Sequence, residues 1–127
     1  MRSLARMTVV GAIAAAVATA TTTAAVAQDG TVYSAGGAQA KVRWVADGDH
    51  MYITDQIADG HSAVGMYQFD DTYFYWNREG QGTTRHVNLD LPENRPLPVG
   101  AMIGEWEGTA TGGLFWNTLS TIDLSTS

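Results

Sequence analysis

Apolar and polar side chains alternate with a period of two along most of this chain. In AKVRWVAD, Val42 and Trp44 share one side of the chain, while Lys41 and Arg43 share the other. The same alternation runs through HMYITD, SAVGMYQF, TYFYWN, TTRHVNLDL, VGAMIGEWE and GLFWNTLSTIDL. Alternating runs rich in β-branched and aromatic residues predict half-buried strands, and no apolar stripe of about 12 residues at helical spacing interrupts them.

Turn-forming residues separate these runs at short intervals. The segments DGD, ADG, DD, NREGQG, PENRP and TATGGL each combine glycine, proline, asparagine or aspartate. About seven short strands with such spacing predict a single antiparallel β-sandwich of the immunoglobulin-like kind, with a small barrel as the alternative. The Gly/Ser-rich residues 28–37 are expected to be partly loose, and the prolines at 92, 96 and 98 to lie in a loop or at an edge.

The first 27 residues have the pattern of a secretory signal peptide. Arg2 and Arg6 provide a basic start, an apolar run follows from Met7, and Ala25-Val26-Ala27 fits a small-x-small cleavage site. We therefore predict a signal-peptide helix over residues 1–27, cleavage after Ala27, and one domain over residues 28–127. The predicted location is extracellular, with an uncleaved anchor as the alternative.

The predicted mature chain is distinctly acidic. Of the seven Lys and Arg residues, two lie in the signal segment, so five remain against 13 Asp and Glu, a balance of 5 − 13 = −8. Nucleic acids and anionic membranes both select a basic surface. We therefore expect neither nucleic acid nor, after signal cleavage, a membrane as partner. The sequence leaves the oligomeric state open.

The chain contains no cysteine, although small secreted domains often depend on disulfides. Thiol catalysis and cysteine-ligated metal sites are excluded on composition. The domain has to be stabilised by packing alone, and its 4 Trp, 5 Tyr and 3 Phe provide the apolar surface for that.

Four aspartates lie within a short stretch and are the candidate metal ligands: Asp47, Asp49, Asp55 and Asp59. Clustered carboxylates suit calcium, although the spacing does not match an EF-hand loop. The competing interpretation is turn chemistry, in which Asp and Gly occupy the ends of two hairpins. We therefore predict no cofactor, and keep calcium as an alternative.

No catalytic residue is predicted. His50, His61 and His86 are the only imidazoles, and they lack the HxH or HxxxH spacing typical of zinc sites. Glycoside hydrolysis needs two carboxylates across a cleft, and a domain of this size has little room for such a cleft around paired carboxylates such as Asp70-Asp71. The Gly-x-Ser-x-Gly motif of serine hydrolases is also absent from the sequence. The protein is predicted not to be an enzyme, with a small extracellular hydrolase or inhibitor as a remaining alternative.

Aromatic residues are the candidate ligand-binding groups. The run TYFYWN places rings on both faces of one predicted strand, and with a later tryptophan it provides Tyr73, Tyr75, Trp76 and Trp106. Exposed planar rings on a sheet can stack on sugars or anchor a protein partner. The alternative is that these rings pack a second small cluster that replaces the missing disulfide.

The stretches YITDQIADGHSAVG, NREGQGTTRHVNLDLPENRPLPVG and GEWEGTATGGLFWNT together resemble the small secreted β-sandwich proteins of Streptomyces and related actinobacteria. The resemblance covers roughly residues 41–116. It implies a sandwich fold and export, and no catalytic residue is established in that family to carry over. Many of its members have a cysteine just before the first Asp of this pattern, where Thr54 stands here, so the disulfide is missing.

These observations predict a secreted, non-catalytic interaction module that contacts an extracellular protein or cell-surface component. The alternative from another class is a carbohydrate-binding module, whose partner would be a cell-surface polysaccharide and whose stacking platforms would be Trp76 and Tyr75.

Overall fold

The computed structural model describes residues 28–126, and the predicted signal peptide lies outside this range. Eight strands follow one another along the chain. Their bounds are β1 Gly30–Tyr33, β2 Ala40–Val45, β3 His50–Asp55, β4 Ser62–Gln68, β5 Thr72–Asn77, β6 Thr84–Asn88, β7 Pro96–Gly104 and β8 Ser120–Ser125. Within residues 28–126 one 3-10 turn, Trp116–Thr118, is present and precedes β8. Among residues 28–126 no helix is long and apolar enough to cross a membrane.

The strands form two antiparallel four-stranded sheets, so the all-β class is confirmed. Sheet A has the order β1-β2-β3-β6, and sheet B has the order β5-β4-β7-β8. The count is eight strands, where the sequence predicted about seven. The additional strand is β1, which lies in the segment expected to be loose, because Val32 pairs with Val42 and is buried with it.

A common apolar core lies between the sheets, in a sandwich-like arrangement. Sheet A contributes Trp44, Met51 and Ile53, and sheet B contributes Leu97 and Val99, all fully buried. These residues occupy alternate positions of their strands, as the period of two predicts. Burial of side chains of this size provides roughly 1.5–3 kcal/mol each, which makes this core the main source of stability in a chain without disulfides.

Sheet B is buried on its other face as well. Val64 and Met102 point away from sheet A into a second cluster with Trp76 and Leu114. Residues 105–119, which we call the cover segment, fold over this face, and the Trp76 indole donates a 2.9 Å hydrogen bond to the Ala110 carbonyl. The central strand β4 is consequently buried on both faces, whereas its alternation predicted a half-buried strand.

The two sheets approach each other closely at Gly65 on β4. A Cβ atom at this position would lie 2.7 Å from the Ile53 side chain and 2.9 Å from the Met51 sulfur. The absence of a side chain therefore allows the large core residues of sheet A to contact the sheet B backbone directly.

The clustered prolines were expected in a loop or at an edge, and two of them, Pro96 and Pro98, lie in a part of β7 that is paired on one side only. Pro96 and Pro98 pair with β8 only, since the pairing of β7 with β4 begins at Val99. The proline-containing half of β7 therefore extends beyond β4. The N–H groups that Pro96 and Pro98 lack consequently interrupt no hydrogen bonds between β7 and β4.

Asn77, the last residue of β5, links sheet B to sheet A. Its side chain is 1% exposed, and its amide nitrogen donates to the Ile53 carbonyl of β3 at 3.0 Å and to the Thr83 carbonyl at 2.9 Å. Its amide oxygen accepts the Glu79 N–H at 3.0 Å. One buried amide thus organises the loop from β5 to β6 and ties it to the opposite sheet.

We expect Asn77→Ala to lower the free energy of unfolding by about 2–4 kcal/mol, because it removes the two hydrogen bonds donated to the Ile53 and Thr83 carbonyls and the acceptor of the Glu79 N–H. Asn77→Asp should be more damaging at neutral pH, since a carboxylate cannot donate to the Ile53 and Thr83 carbonyls. Urea denaturation of both variants measures this order. Thr72→Ala, at the exposed start of the same strand, is the matched control and should change stability by less than about 0.5 kcal/mol. Equal stability of Asn77→Ala and the wild type would contradict the role assigned to this amide.

Candidate functional site

The aromatic residues of β5 lie on opposite faces of their strand. Tyr73 and Tyr75 point toward the sheet A side, where both stack on Tyr67 with ring centroids 4.9 and 6.1 Å apart. Phe74 and Trp76 point to the outer face of sheet B, where Trp76 is only 4% exposed. The strand therefore divides the predicted binding residues between two environments.

Tyr67 is the buried centre of the tyrosine stack. Burial raises the pKa of its hydroxyl, and the neighbouring Tyr75 and Tyr73 raise the same pKa further. Tyr67 is therefore a neutral hydrogen-bonding group across the physiological range. Tyr73 is the outermost ring of this stack and is 41% exposed.

Two tryptophans of the cover segment reach the surface above β5. Trp106 is 37% exposed and contacts Trp76 edge-to-face, with centroids 5.2 Å apart. Trp116 is 58% exposed and contacts Phe74 in the same way at 5.6 Å. Because side chains two residues apart on a strand are separated by about 7 Å, the two tryptophans rest on neighbouring supports. We call Trp106 and Trp116 the tryptophan pair.

The structure thus brings Trp76 and Trp106 of the predicted set together and places Tyr73 and Tyr75 elsewhere. Trp76 serves as the buried support on which Trp106 rests. The Arg78 guanidinium lies 4.6 Å above the Trp106 ring, in a cation–π contact. Trp116, the most exposed of the large apolar side chains of residues 28–126, was not in the predicted set.

The four candidate metal ligands lie at the two ends of β3 and do not converge. Asp47 and Asp49 lie in the turn before the strand, and Asp55 and Asp59 lie at and beyond its other end, about 20 Å away at 3.3 Å per residue. Asp49 has a φ of +57° and its carboxylate accepts the Leu91 N–H at 3.0 Å, which is a turn role. Within residues 28–126 no three His, Asp or Glu side chains are grouped to hold a metal ion.

The loop from β3 to β4 forms one wall of a shallow cleft of about 400 Å³. Asp59 accepts the His61 N–H at 2.9 Å through one carboxylate oxygen, and the other oxygen is buried without a hydrogen bond. The His61 Nδ1 atom lies 3.7 Å from a Glu105 oxygen, which is an ion-pair distance and too long for a hydrogen bond. These side chains shape the loop through local contacts, and they form no nucleophile–base arrangement.

Asp55 is the most buried acid of this cleft, at 3% exposure. Burial raises the pKa of its carboxyl group. The hydrogen bond from the Ile57 N–H lowers that pKa, and the nearby Asp59 raises it again. Asp55 also joins the loops around it through its backbone, since its N–H donates to the Thr83 carbonyl and its carbonyl accepts the Gly82 N–H.

The outer face of sheet A is a second surface of distinct chemistry, which the sequence reasoning missed. Strand alternation and register place the following residues on it: Thr31, Tyr33, Lys41, Arg43, Val45, His50, Tyr52, Thr54, Thr84, His86 and Asn88. None of these outward residues of β1, β2, β3 and β6 is acidic. All 13 acidic residues of the chain except Asp55 and Asp123 lie outside strands. We call this surface the basic face.

Four side chains of the basic face are in continuous contact. The Arg43 guanidinium lies 4.5 Å from the Tyr52 ring centroid, and the His86 ring stacks on Tyr52 at 4.6 Å with an interplanar angle of 8°. His86 and His50 share a hydrogen bond of 2.7 Å between ring nitrogens. The flanking strands β2 and β6 place Arg43 and His86 on opposite sides of Tyr52.

The alternation of HMYITD and TTRHVNLDL already indicated that His50 and His86 face outward. The proximity of the two histidines required the pairing of β3 with β6, which joins residues 36 positions apart. Comparison with protein-family models, curated proteins and solved structures finds no match for this chain. The assignment of function therefore depends on these surfaces alone.

We expect Asp55→Asn to raise the melting temperature at pH 7. A carboxyl whose pKa is higher in the folded than in the unfolded protein binds more protons when folded, so its contribution to stability is lost as pH rises through that interval. Asparagine keeps the acceptor for the Ile57 N–H and removes the buried charge. The advantage of the variant should disappear below about pH 4, where the wild-type carboxyl becomes protonated in both states.

Melting curves from pH 3 to 7 measure this difference, with the exposed Asp47→Asn as the matched control. A variant that melts below the wild type at pH 7 would show that the ionised carboxylate is favourable, as a bound cation would make it. Calcium should then raise the wild-type melting midpoint and a chelator should lower it. Calcium at 100 times its dissociation constant would add about 2.7 kcal/mol to the free energy of unfolding.

Proposed function

We propose that this protein is a secreted, non-catalytic interaction module that contacts an extracellular protein or cell-surface component through the tryptophan pair. Its framework is a single β-sandwich of the immunoglobulin-like kind, related to the small secreted actinobacterial proteins that the sequence resembles. The surface consists of Trp106 and Trp116, with Arg78 above the first ring and the buried rings of β5 beneath both.

The observation that carries this proposal is the exposure of two large rings that are nevertheless held in place. Trp106 and Trp116 leave 37% and 58% of their surface in water, although each packs edge-on against a ring of β5. Such contacts restrict side-chain motion before a partner arrives, which lowers the entropic cost of binding. Tryptophan and arginine are also the residue types most enriched among the dominant contacts of protein interfaces.

The acidic residues near the β3–β4 loop support the non-catalytic part of the proposal. Asp55 and Asp59 accept backbone N–H groups of their own loop, and the cleft that they line is shallow and open. These hydrogen bonds give both carboxylates a structural role in the β3–β4 loop, so no catalytic role is needed to account for them.

The second candidate is a carbohydrate-binding module, and the exposure of Trp116 is the observation that favours it. Its indole is the most exposed of the large apolar rings in the described chain, and a planar ring at that position can stack on the apolar face of a sugar. Trp76 and Tyr75, the stacking platforms expected from the sequence, are buried and half-buried respectively. The sugar-binding version of the proposal therefore relies on Trp116 and Trp106.

Export can be measured directly. Expression of the full chain in its natural host should release a protein into the medium whose first residue is Gln28. Amino-terminal sequencing and intact mass of the released protein check this expectation. A protein that stays in the cell pellet with residues 1–27 attached would contradict the secreted assignment and favour the uncleaved anchor.

Binding should depend on the tryptophan pair. We expect the double variant Trp106→Ala/Trp116→Ala to bind washed whole cells at least about tenfold more weakly than the wild type, since each such truncation removes a dominant contact. The assay is carried out at about 0.5 M salt, which suppresses purely electrostatic retention. Ile57→Ala, which truncates an apolar residue of similar exposure in the β3–β4 loop, is the matched control and should bind like the wild type.

A panel of insoluble chitin and cellulose separates the two candidates. Retention on a polysaccharide that the double variant loses would select the carbohydrate-binding module. Retention on cells that protease treatment of the cells abolishes would select a protein partner. Circular dichroism confirms that both variants are folded, because Trp106 also packs on Trp76. Unchanged cell binding by a folded double variant would contradict the proposal.

A further inference from the structure

The basic face carries positive charge in a protein that is otherwise strongly acidic. The part of the chain that the structure describes has five Lys and Arg residues and 13 acids. Lys41 and Arg43 project from β2 onto this face, and among the residues of sheet A no outward side chain is acidic. The carboxylates are confined to the loops, with Asp55 and Asp123 the exceptions, so none of them interrupts the face.

The Arg43 guanidinium on this face is held in a fixed position. Tyr52 lies between Arg43 and His86, which contact its ring at 4.5 and 4.6 Å. The 2.7 Å hydrogen bond to His50 fixes the orientation of the His86 ring in turn. A guanidinium stacked on an aromatic ring still presents its N–H groups at its edge, in the planar fork that suits carboxylates.

From this arrangement we propose that the basic face binds a polysaccharide that carries carboxylate groups. Arg43 and Lys41 would contact the carboxylates, and the exposed plane of Tyr33 would contact a sugar ring. Tyr33 is 45% exposed on the neighbouring strand β1. This surface lies on the opposite side of the molecule from the tryptophan pair, so the inference is independent of the proposed function.

Three features favour an acidic polysaccharide over other anionic polymers. The face has no central apolar cluster of the kind that protein interfaces use. The strand edges, and not this face, hold the main-chain groups that an added peptide strand would need. A nucleic acid has one charge per about 1.7 Å of duplex and would be repelled by the excess of carboxylates in this chain, whereas a polymer with more widely spaced charges suits the few cations of the face.

The test uses the exported protein and soluble polygalacturonate at low salt, with calorimetry as the readout. The same polymer after complete methyl esterification is the control ligand, because it keeps the sugars and loses the charge. We expect binding to polygalacturonate only, and at least about tenfold weaker binding in Arg43→Gln. Arg95→Gln is the matched control, since it removes the same charge from a residue paired with Asp70 away from this face, and it should change the affinity less than about twofold.

Equal losses in Arg43→Gln and Arg95→Gln, or equal binding of the esterified polymer, would overturn the proposal. Tighter binding of poly-glutamate than of polygalacturonate would also overturn it, in favour of an acidic protein partner. The Trp106→Ala/Trp116→Ala variant should bind polygalacturonate like the wild type, so this inference and the proposed function fail separately.

Discussion

The structure depends on the burial of sheet B on both of its faces. A domain of about 100 residues without disulfides has a small margin of stability, because its surface is large relative to its core. One face of β4 and β7 packs on sheet A, and the other lies under the cover segment, which adds Val64, Met102 and Leu114 to the buried set. This second cluster adds buried apolar surface, and so contributes stability that many small extracellular domains obtain from a disulfide.

The same arrangement determines where the aromatic residues lie. Phe74 and Trp76 become supports beneath the cover segment, and the tryptophans of that segment remain at the surface above them. Sheet A has no equivalent cover among the described residues, so its outward side chains stay in water. The two sides of the molecule therefore differ in chemistry, with aromatic rings on the side of sheet B and fixed positive charge on the side of sheet A.

Several features of the fold were predictable because they depend on local sequence. The period of two in β2 and β3 correctly placed Trp44, Met51 and Ile53 in the core, and the turn residues correctly separated most strands. The strand β1 was missed because a Gly/Ser-rich segment has low intrinsic preference for a strand and gains its order from pairing with β2. The double burial of β4 was missed because alternation identifies two faces and does not show that the second one is covered.

The candidate surfaces also depend partly on local sequence and partly on tertiary structure. The sequence by itself determined the strand class, the acidic balance, the lack of any thiol chemistry and which side chains share a face within each strand. Only the tertiary structure decided that Trp76 is buried while Trp116 is exposed, because a segment about 30–40 residues further along the chain covers β5. It also decided that His50 meets His86 and that Arg43 meets Tyr52. The physical reason is that side-chain direction in a strand is a local property, whereas strand pairing and sheet burial are set by contacts between distant parts of the chain.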